Sequence, residues 1–269
     1  MKDISTAWFE DLQSVLAHES VTVPDVRIGV FYTAARLSTG HVGVAFTPRD
    51  LSDTVCCPRS AAAAPHAGRL AGQDAWTLCE YALSSVPLRR TVGVAVLNAL
   101  SALAIARHGV PDGRLLPSVD ALTAAEVGAK DRVAMVGAFV PFIKALKGKV
   151  ADLWVVDKHP QALKSDEVQF WRSPQQASEV LSHASVVVIS GSSLVEGGLD
   201  DLLAAARNAR CVVLAGPTAS PWPSTFFARG VHILGGIRVL DGDKLLQVVS
   251  EGGSGYFFED FAEKVCILR

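Results

Sequence analysis

The sequence lacks the features that mark several common classes of protein. Charged residues make up only 19% of its 269 positions and the formal net charge is −2, so no basic surface suited to a nucleic acid or an anionic membrane is expected. The N-terminus lacks the basic and then apolar pattern of a signal peptide. No apolar run approaches the roughly 20 residues that a membrane span needs. We therefore expect a cytoplasmic protein with neither a nucleic-acid partner nor a membrane partner.

Cysteine is scarce and has no regular spacing. The sequence has an odd number of cysteines and no CxxC or HxxxH pair, which argues against a disulfide framework and against a structural zinc site. Cys56 and Cys57, with His66 nearby, could still supply ligands to an exposed, transiently bound metal ion. Ordinary packed cysteines are the alternative. A metal ion is the one cofactor these residues suggest, and its identity stays open.

Apolar residues are abundant. They make up 49% of the chain, and the mean hydropathy is +0.30, which is enough to build the core of one large domain or two modest ones. The character of the sequence changes beyond residue 119. We place two domains at 1–115 and 116–269, with a linker within 111–130. The apolar composition also leaves room for an interface between copies, so a homodimer is a reasonable expectation.

The first part of the chain has an α+β pattern. The predicted elements are a helix at 4–16, strands at 26–37 and 41–47, a long loop at 48–67, and helices at 75–84 and 89–108. The turn Ser38-Thr39-Gly40 joins the two strands as a hairpin. Asn98 lies inside an apolar helical run, where a buried amide needs partners. We expect it to bind loop backbone or a ligand.

Beyond residue 119, short β-branched runs alternate with helical stretches. The predicted strands are 132–137, 153–157, 185–190, 211–215 and, more weakly, 232–234, and the predicted helices are 141–147, 174–183, 199–207 and 224–229. This alternation predicts parallel strands with right-handed crossovers in a Rossmann-like, doubly wound α/β sheet. Ligands of such sheets bind beyond the carboxyl ends of the strands.

The first two strands end at Gly137 and Asp157. Gly137 permits close approach of the backbone to a ligand, although a glycine there often serves packing alone. An acidic residue about 20 positions further on can accept ribose hydroxyls, and local capping is the alternative for Asp157. The GxGxxG fingerprint is absent, which disfavours NAD. A ligand containing ribose or resembling S-adenosylmethionine remains open.

The next two strands run into loops rich in turn residues. Residues 190–198 contain three serines and three glycines, whose exposed N–H groups suit an oxyanion or a chelate. Capping of a helix by Ser192 or Ser193, with Glu196 in a capping box, is the alternative. The loop Gly216-Pro217-Thr218 is stiffened by proline, so it can form a pocket wall or merely a tight connection.

Several of these segments together resemble an uncharacterised bacterial and archaeal family labelled for heavy-metal chelation. The segments are the hairpin 29–46 with Thr33 and Gly43-Val44-Ala45, the helix 93–100 with Asn98, and the turns 190–195 and 216–218. The resemblance implies an enolase N-terminal-like α+β domain followed by a Rossmann-like domain, with a pocket between them. It does not imply enolase activity. Glu196 stands where the family has asparagine, so a neutral ligand contact does not carry over to this position.

Two functions from different classes follow. The first is a small-ligand-binding protein whose interdomain cleft handles a metal ion, a metal chelate or an oxyanion. The alternative is a transferase or lyase that uses a nucleotide-like cofactor such as S-adenosylmethionine. The seven histidines are scattered and no catalytic triad or carboxylate pair can be inferred, so catalytic residues are unknown and enzyme activity stays open. The candidate ligand residues are Thr33, Asn98, Gly137, Asp157, Ser190, Gly191, Ser192, Ser193, Glu196, Gly216, Pro217 and Thr218, and the candidate metal ligands are Cys56, Cys57 and His66.

Overall fold

The first half of the chain is built on one long helix packed against a small antiparallel sheet. The computed structural model describes residues 2–17, 19–49 and 64–269. Among these residues the helices are α1 (Ile4–Val15), α2 (Ala75–Cys79) and α3 (Pro87–His108), and the strands are β1 (Thr22–Val23), β2 (Asp25–Ile28), β3 (Tyr32–Arg36), β4 (Val42–Phe46) and β5 (Gln73–Asp74). Strands β2, β3 and β4 form an antiparallel meander, and β1 pairs with β5. The predicted helices at 4–16 and 89–108 are confirmed.

The predicted single strand at 26–37 is wrong, because a turn divides it into β2 and β3. The Gly29 N–H closes this turn by donating to the Tyr32 carbonyl at 2.9 Å. A Cβ atom on Gly29 would lie 2.2 Å from the Val249 carbonyl oxygen, so the turn rests on a later part of the chain. A contact so distant in sequence leaves no trace in local residue spacing.

Helix α3 is the central element of this half. Pro87 stands in its first turn, where its fixed φ favours helix initiation. Gly109, with φ of 74°, ends the helix by donating to the Ile105 carbonyl. By length and composition α3 could cross a membrane, which corrects the expectation that no segment reaches that length, and 72% of its most apolar 18-residue window is buried inside the protein.

Strand β4 lies directly on the backbone of α3. A Cβ atom at Gly43 would lie 2.2 Å from both the Ala95 carbonyl oxygen and the Ala99 nitrogen. Real Cβ atoms do not approach backbone this closely, so only glycine allows the strand and the helix to meet here.

The second half forms an eight-stranded, mostly parallel sheet. Its strands are β6 (Arg114–Pro117), β7 (Arg132–Val136), β8 (Asp152–Val156), β9 (Trp171–Arg172), β10 (Val186–Ser190), β11 (Cys211–Ala215), β12 (Ile233–Val239) and β13 (Ala262–Leu268). Its helices are α4 (Ala121–Ala124), α5 (Val140–Leu146), α6 (Ala177–His183), α7 (Ser193–Glu196), α8 (Leu199–Ala205), α9 (Ser224–Ala228) and α10 (Gly242–Ser250). The strand order is β6-β13-β12-β11-β10-β7-β8-β9, in which β13 runs antiparallel to both of its neighbours. The predicted α/β class is confirmed.

The edge of this sheet differs from the prediction. Residues 111–130 are not simply a linker, since they contain β6 and α4, and β6 pairs with β13 in the large sheet. Strand β6 therefore crosses the predicted domain boundary between residues 115 and 116. The sequence prediction also missed β13 and α10, because the predicted alternation of strands and helices ended at residues 232–234, at the start of β12.

The two halves share their hydrophobic cores. Helix α3 covers one face of the β2-β3-β4 sheet, and α10 from the second half covers the other. Here Ala34, Val42 and Val44 pack with Leu245 and Val249. A second shared core joins α1 and α3 to one face of β10 and β11. The surfaces where the two halves meet are therefore formed by elements of both halves.

Candidate functional site

The parallel strands create a topological switch point between β7 and β10. The chain passes from β7 to β8 on one side and later returns at β10 on the other, and crevices at such points commonly bind ligands. The loops predicted as ligand contacts all lie at this edge. We call residues 137–139, 157–159 and 190–198 the carboxyl-edge loops, and residues 216–220 the Gly-Pro loop.

Gly137 lies at the switch point itself. Its φ of +96° belongs to the left-handed region that glycine tolerates best. Its N–H donates to the Val156 carbonyl at 2.9 Å. A Cβ atom here would lie 3.1 Å from the Ser190 Cβ. Close packing of the ends of β7 and β10 thus explains this glycine, and its contact with a ligand stays a prediction.

Asp157 binds the backbone of its neighbours. Its Oδ2 accepts from the Ala138 N–H at 3.0 Å, and its Oδ1 accepts from the His159 N–H at 2.8 Å. Both carboxylate oxygens therefore stabilise the carboxyl-edge loops, as the capping alternative predicts. Nothing in this geometry specifically favours ribose recognition.

The side chains of two serines of the 190–198 loop also form hydrogen bonds within the loop. The Ser190 Oγ accepts from the Ser192 N–H at 3.2 Å, and the Ser193 Oγ donates to the Ser190 carbonyl at 2.7 Å. Glu196 is exposed and its Oε1 accepts from the Lys158 ammonium at 2.8 Å. An exposed pair of this kind contributes at most about 1 kcal/mol to stability.

The Gly-Pro loop connects this edge to the first half. A Cβ atom at Gly191 would lie 2.8 Å from the Ala219 nitrogen, so the two loops touch through their backbones. Gly216 has a φ of +109°, and Pro217 follows it half-buried. Thr218 is buried, and its Oγ1 accepts from the Phe46 N–H of β4 at 2.9 Å. The stiff loop is therefore a structural joint between the halves.

Asn98 completes this joint from α3. Its Nδ2 donates to the Val44 carbonyl at 2.8 Å and to the Thr218 carbonyl at 2.9 Å. The predicted bond from its buried amide to loop backbone is thus present at Thr218, and the second acceptor belongs to strand β4. Its Oδ1 is buried and has no hydrogen-bond partner within the described part of the chain.

Thr33 lies in the same region and is fully buried. Its hydroxyl shares a hydrogen bond of 2.9 Å with the Thr47 hydroxyl, and both side chains are buried. A ligand could reach Thr33 only if β3 and β4 moved, so its predicted contact with a ligand remains a prediction.

A cavity of about 550 Å³ lies beside Asn98, between the two halves. We call it the inter-half cavity. The turn between β3 and β4 with the start of β4 (residues 39–44) and the second half of α3 form one wall, and β12 and β13 form the other. Its lining is mostly apolar, and the polar side chains that line it are Thr39, His41, Asn98, Ser220 and Arg238.

Of the predicted ligand residues, only Asn98 lines this cavity. The prediction missed Ser220 and Gly236 on one wall and Ala102 and Ile105 on the other, although the sequence carries a signal for each wall. A glycine pair interrupts β12, and glycine within a strand often marks close approach of other atoms. A Cβ atom at Gly236 would lie 2.4 Å from the Ala219 carbonyl oxygen and the Ser220 Oγ. On α3, Ala102 and Ile105 follow Asn98 at helical spacing.

The charged groups at the cavity are already paired or neutral. Arg238 forms an ion pair with Glu263. Burial, and secondarily the nearby Arg107, lower the pKa of His41, which favours its neutral form at pH 7. The cavity therefore presents a mostly apolar surface with little net electrostatic field.

The described residues do not fit a bare metal ion. They contain no group of three or more histidine, cysteine, aspartate or glutamate side chains placed to hold one. Cys56 and Cys57 lie outside the described residues, and His66 is exposed. Cys79, Cys211 and Cys266 are buried, and burial raises the pKa of Cys266 to about 11, which keeps that thiol protonated.

Two family models match the chain, and both are described as "putative heavy-metal chelation". The DUF364 model matches residues 120–268, and the DUF4213 model matches residues 9–101. An uncharacterised protein of Methanocaldococcus jannaschii is 27% identical over 184 residues, which is 66% of this chain. The match spans 65% of that relative's length.

Solved structures show the same fold over the whole chain. A protein of unknown function from the DUF364 family of Pyrococcus horikoshii aligns with a TM-score of 0.80 at 20% identity, covering 99% of this chain and 100% of that one. A DUF364 protein of unknown function from Desulfitobacterium hafniense aligns with a TM-score of 0.75 at 20% identity, covering 98% and 99% respectively.

Proposed function

This chain belongs to the DUF364 family, described as "putative heavy-metal chelation", and from that premise we propose that it binds a small metal chelate in the inter-half cavity. The function is that of a ligand-binding protein, and the ligand is a metal ion already held by an organic molecule. The observation that carries the proposal is the cavity itself, which has walls from both halves of the chain.

The size and lining of the cavity suit an organic ligand. Its volume of about 550 Å³ falls within the roughly 300–1,000 Å³ of typical small-molecule pockets. Such pockets combine a mostly apolar wall with a few polar groups that fix orientation. Leu234 and Ile267 supply apolar wall, and Asn98 and Ser220 supply polar groups.

A chelate fits these walls better than a bare ion or an oxyanion does. A bare ion needs several oxygen, nitrogen or sulfur donors around it, and a set of that kind is missing from the described residues. An oxyanion needs an available cation, whereas Arg238 is paired with Glu263. The organic shell of a chelate would instead contact the apolar wall.

The proposal also includes an assignment of the two domains. We assign the first half, 1–115, to an enolase N-terminal-like domain and the second, 116–269, to a Rossmann-like domain. The shared cores of the two halves support a cavity whose shape depends on both.

Two measurements test the proposal. Native mass spectrometry with elemental analysis of the untreated protein would reveal a metal-bearing organic molecule that co-purifies. Thermal unfolding would then compare zinc and nickel ions alone with their 8-hydroxyquinoline complexes. We expect the complexes to stabilise the protein, by about 2.7 kcal/mol at 100 times the Kd.

Cavity-filling variants locate the effect. Ala102→Phe on α3 places a ring in the cavity and should abolish stabilisation by the complexes. Ala204→Phe, at an exposed position on α8, is the matched control and should retain it. Stabilisation by the bare ions but not by the complexes would contradict the proposal.

A further inference from the structure

The side-chain oxygen of Asn98 is the one buried side-chain polar atom without a hydrogen bond among the described residues. Asn98 is only 2% exposed. Leaving such an atom unpaired costs roughly 1–3 kcal/mol. In native proteins a buried polar atom that lacks a protein partner usually has a solvent or ligand partner.

The orientation of this amide is fixed by its surroundings. Both hydrogens of Nδ2 point to carbonyl oxygens, those of Val44 and Thr218. Rotating the amide by half a turn would set Oδ1 against these two acceptors. The carbonyl end of Asn98 therefore remains the unpaired end.

Other polar groups near the cavity already have partners. The Ser220 hydroxyl accepts from the Ile237 N–H at 3.0 Å and donates to backbone carbonyls of Pro217 or Ile237. Thr39 and His41 hydrogen-bond to each other at 3.0 Å. Along α3, the lining continues from Asn98 with Ala102 and Ile105, which are apolar.

We propose that Asn98 determines the specificity of the inter-half cavity by accepting a hydrogen bond from its ligand. The ligand is then an apolar molecule, or a chelate with an apolar shell, that carries an N–H or O–H group at the end facing Asn98. This inference rests on the proposed function and narrows the class of ligand. Oδ1 itself is buried in the ligand-free protein, so the ligand displaces the groups that cover it. The ligand's donor then supplies the partner that the described residues do not give to Oδ1.

A matched pair of probes tests the hydrogen bond without disturbing Asn98. Indole carries an N–H donor, and 1-methylindole replaces it with a methyl group on the same ring system. Calorimetric titration of the full chain should show indole binding about tenfold more tightly than 1-methylindole, as expected for one buried hydrogen bond. The pair 2-naphthol and 2-methoxynaphthalene repeats the comparison with an O–H donor.

A spectroscopic signal separates a hydrogen bond from a difference in fit. The side-chain ¹³C carbonyl resonance of Asn98 should shift on saturation with indole and stay near its original position with 1-methylindole. Ala102→Phe should abolish binding of both probes, and Ala204→Phe should not.

The outcomes distinguish this inference from the proposed function. Equal affinity for both members of a pair, lost in Ala102→Phe, would overturn the role of Asn98 and leave the cavity as the site. Binding that Ala102→Phe leaves unchanged would overturn both, and no saturable binding of any probe would overturn the role of Asn98 while the metal complexes still test the cavity. A tenfold preference with an unmoved Asn98 resonance would also overturn the role of Asn98.

Discussion

The inter-half cavity and the carboxyl-edge loops differ in how fully the protein satisfies its own polar groups. In the loops, Asp157 and Ser193 bind neighbouring backbone, and Gly137 allows two strand ends to pack closely. In the cavity, Asn98 keeps an unpaired buried oxygen beside about 550 Å³ of space. Loops rich in glycine and serine therefore identify close backbone packing as readily as a binding site, whereas an unpaired group beside a cavity points more specifically to a ligand.

The largest expected effect comes from separating the elements that form the cavity. Gly43→Ala places a Cβ atom 2.2 Å from the backbone of α3, which forces β4 away from the helix. We expect the free energy of unfolding to fall by at least about 3 kcal/mol. Urea denaturation of the variant measures the loss.

Gly128→Ala is the control for this change. The nearest atom to a Cβ at Gly128 is the Asp131 Oδ2, at 3.8 Å, so the free energy of unfolding should change by less than about 1 kcal/mol. If Gly43→Ala were as stable as this control, the close contact between β4 and α3 would be refuted.

A smaller effect is expected from Asn98→Ala, which removes two hydrogen bonds that join α3 to β4 and to the Gly-Pro loop. Two buried carbonyls would lose a donor, and we expect a loss of about 2 kcal/mol in the free energy of unfolding. Ser192→Ala in the carboxyl-edge loops should cost less than about 0.5 kcal/mol, because Ser192 donates to Ser190 through its backbone N–H, which the substitution keeps. Equal losses in the two variants would remove the distinction between the regions.

These residues also show how far the sequence could lead. The buried amide of Asn98 was predictable, because an asparagine within an apolar helix must find partners. The alternating strands and helices of the second half were also predictable, because β-branched runs and helical spacing are local patterns. The position of the cavity was not, because it depends on α10, β13 and the split between β2 and β3. These elements are fixed by contacts between distant parts of the chain, such as that of Gly29 with Val249.

A stability effect smaller than that of Asn98→Ala is expected away from both regions, at the amino ends of the strands. The Arg210 guanidinium donates to both oxygens of Asp131 and holds the pKa of that carboxyl well below its usual range. A lowered pKa in the folded state contributes stability above the unfolded pKa of about 3.9, and this contribution is lost as the pH falls below that value.

Asp131→Asn should therefore lower the free energy of unfolding by about 1.5 kcal/mol at pH 7, and the difference from the unaltered protein should shrink toward pH 3. Urea denaturation at both pH values measures this change. The affinity of the cavity for its ligand should stay the same. An affinity that falls with Asp131→Asn would mean that general loss of stability, rather than cavity geometry, explains weakened binding in other variants.

The central claim is that the ligand occupies the inter-half cavity, and chemical-shift mapping tests it most directly. The full chain, labelled with ¹⁵N, would be titrated with the zinc complex of 8-hydroxyquinoline. We predict that the largest shifts occur at cavity residues such as Asn98, Ala102 and Ile237. Largest shifts at Gly137 and Ser190, with the cavity unmoved, would contradict the account and place the ligand at the carboxyl-edge loops.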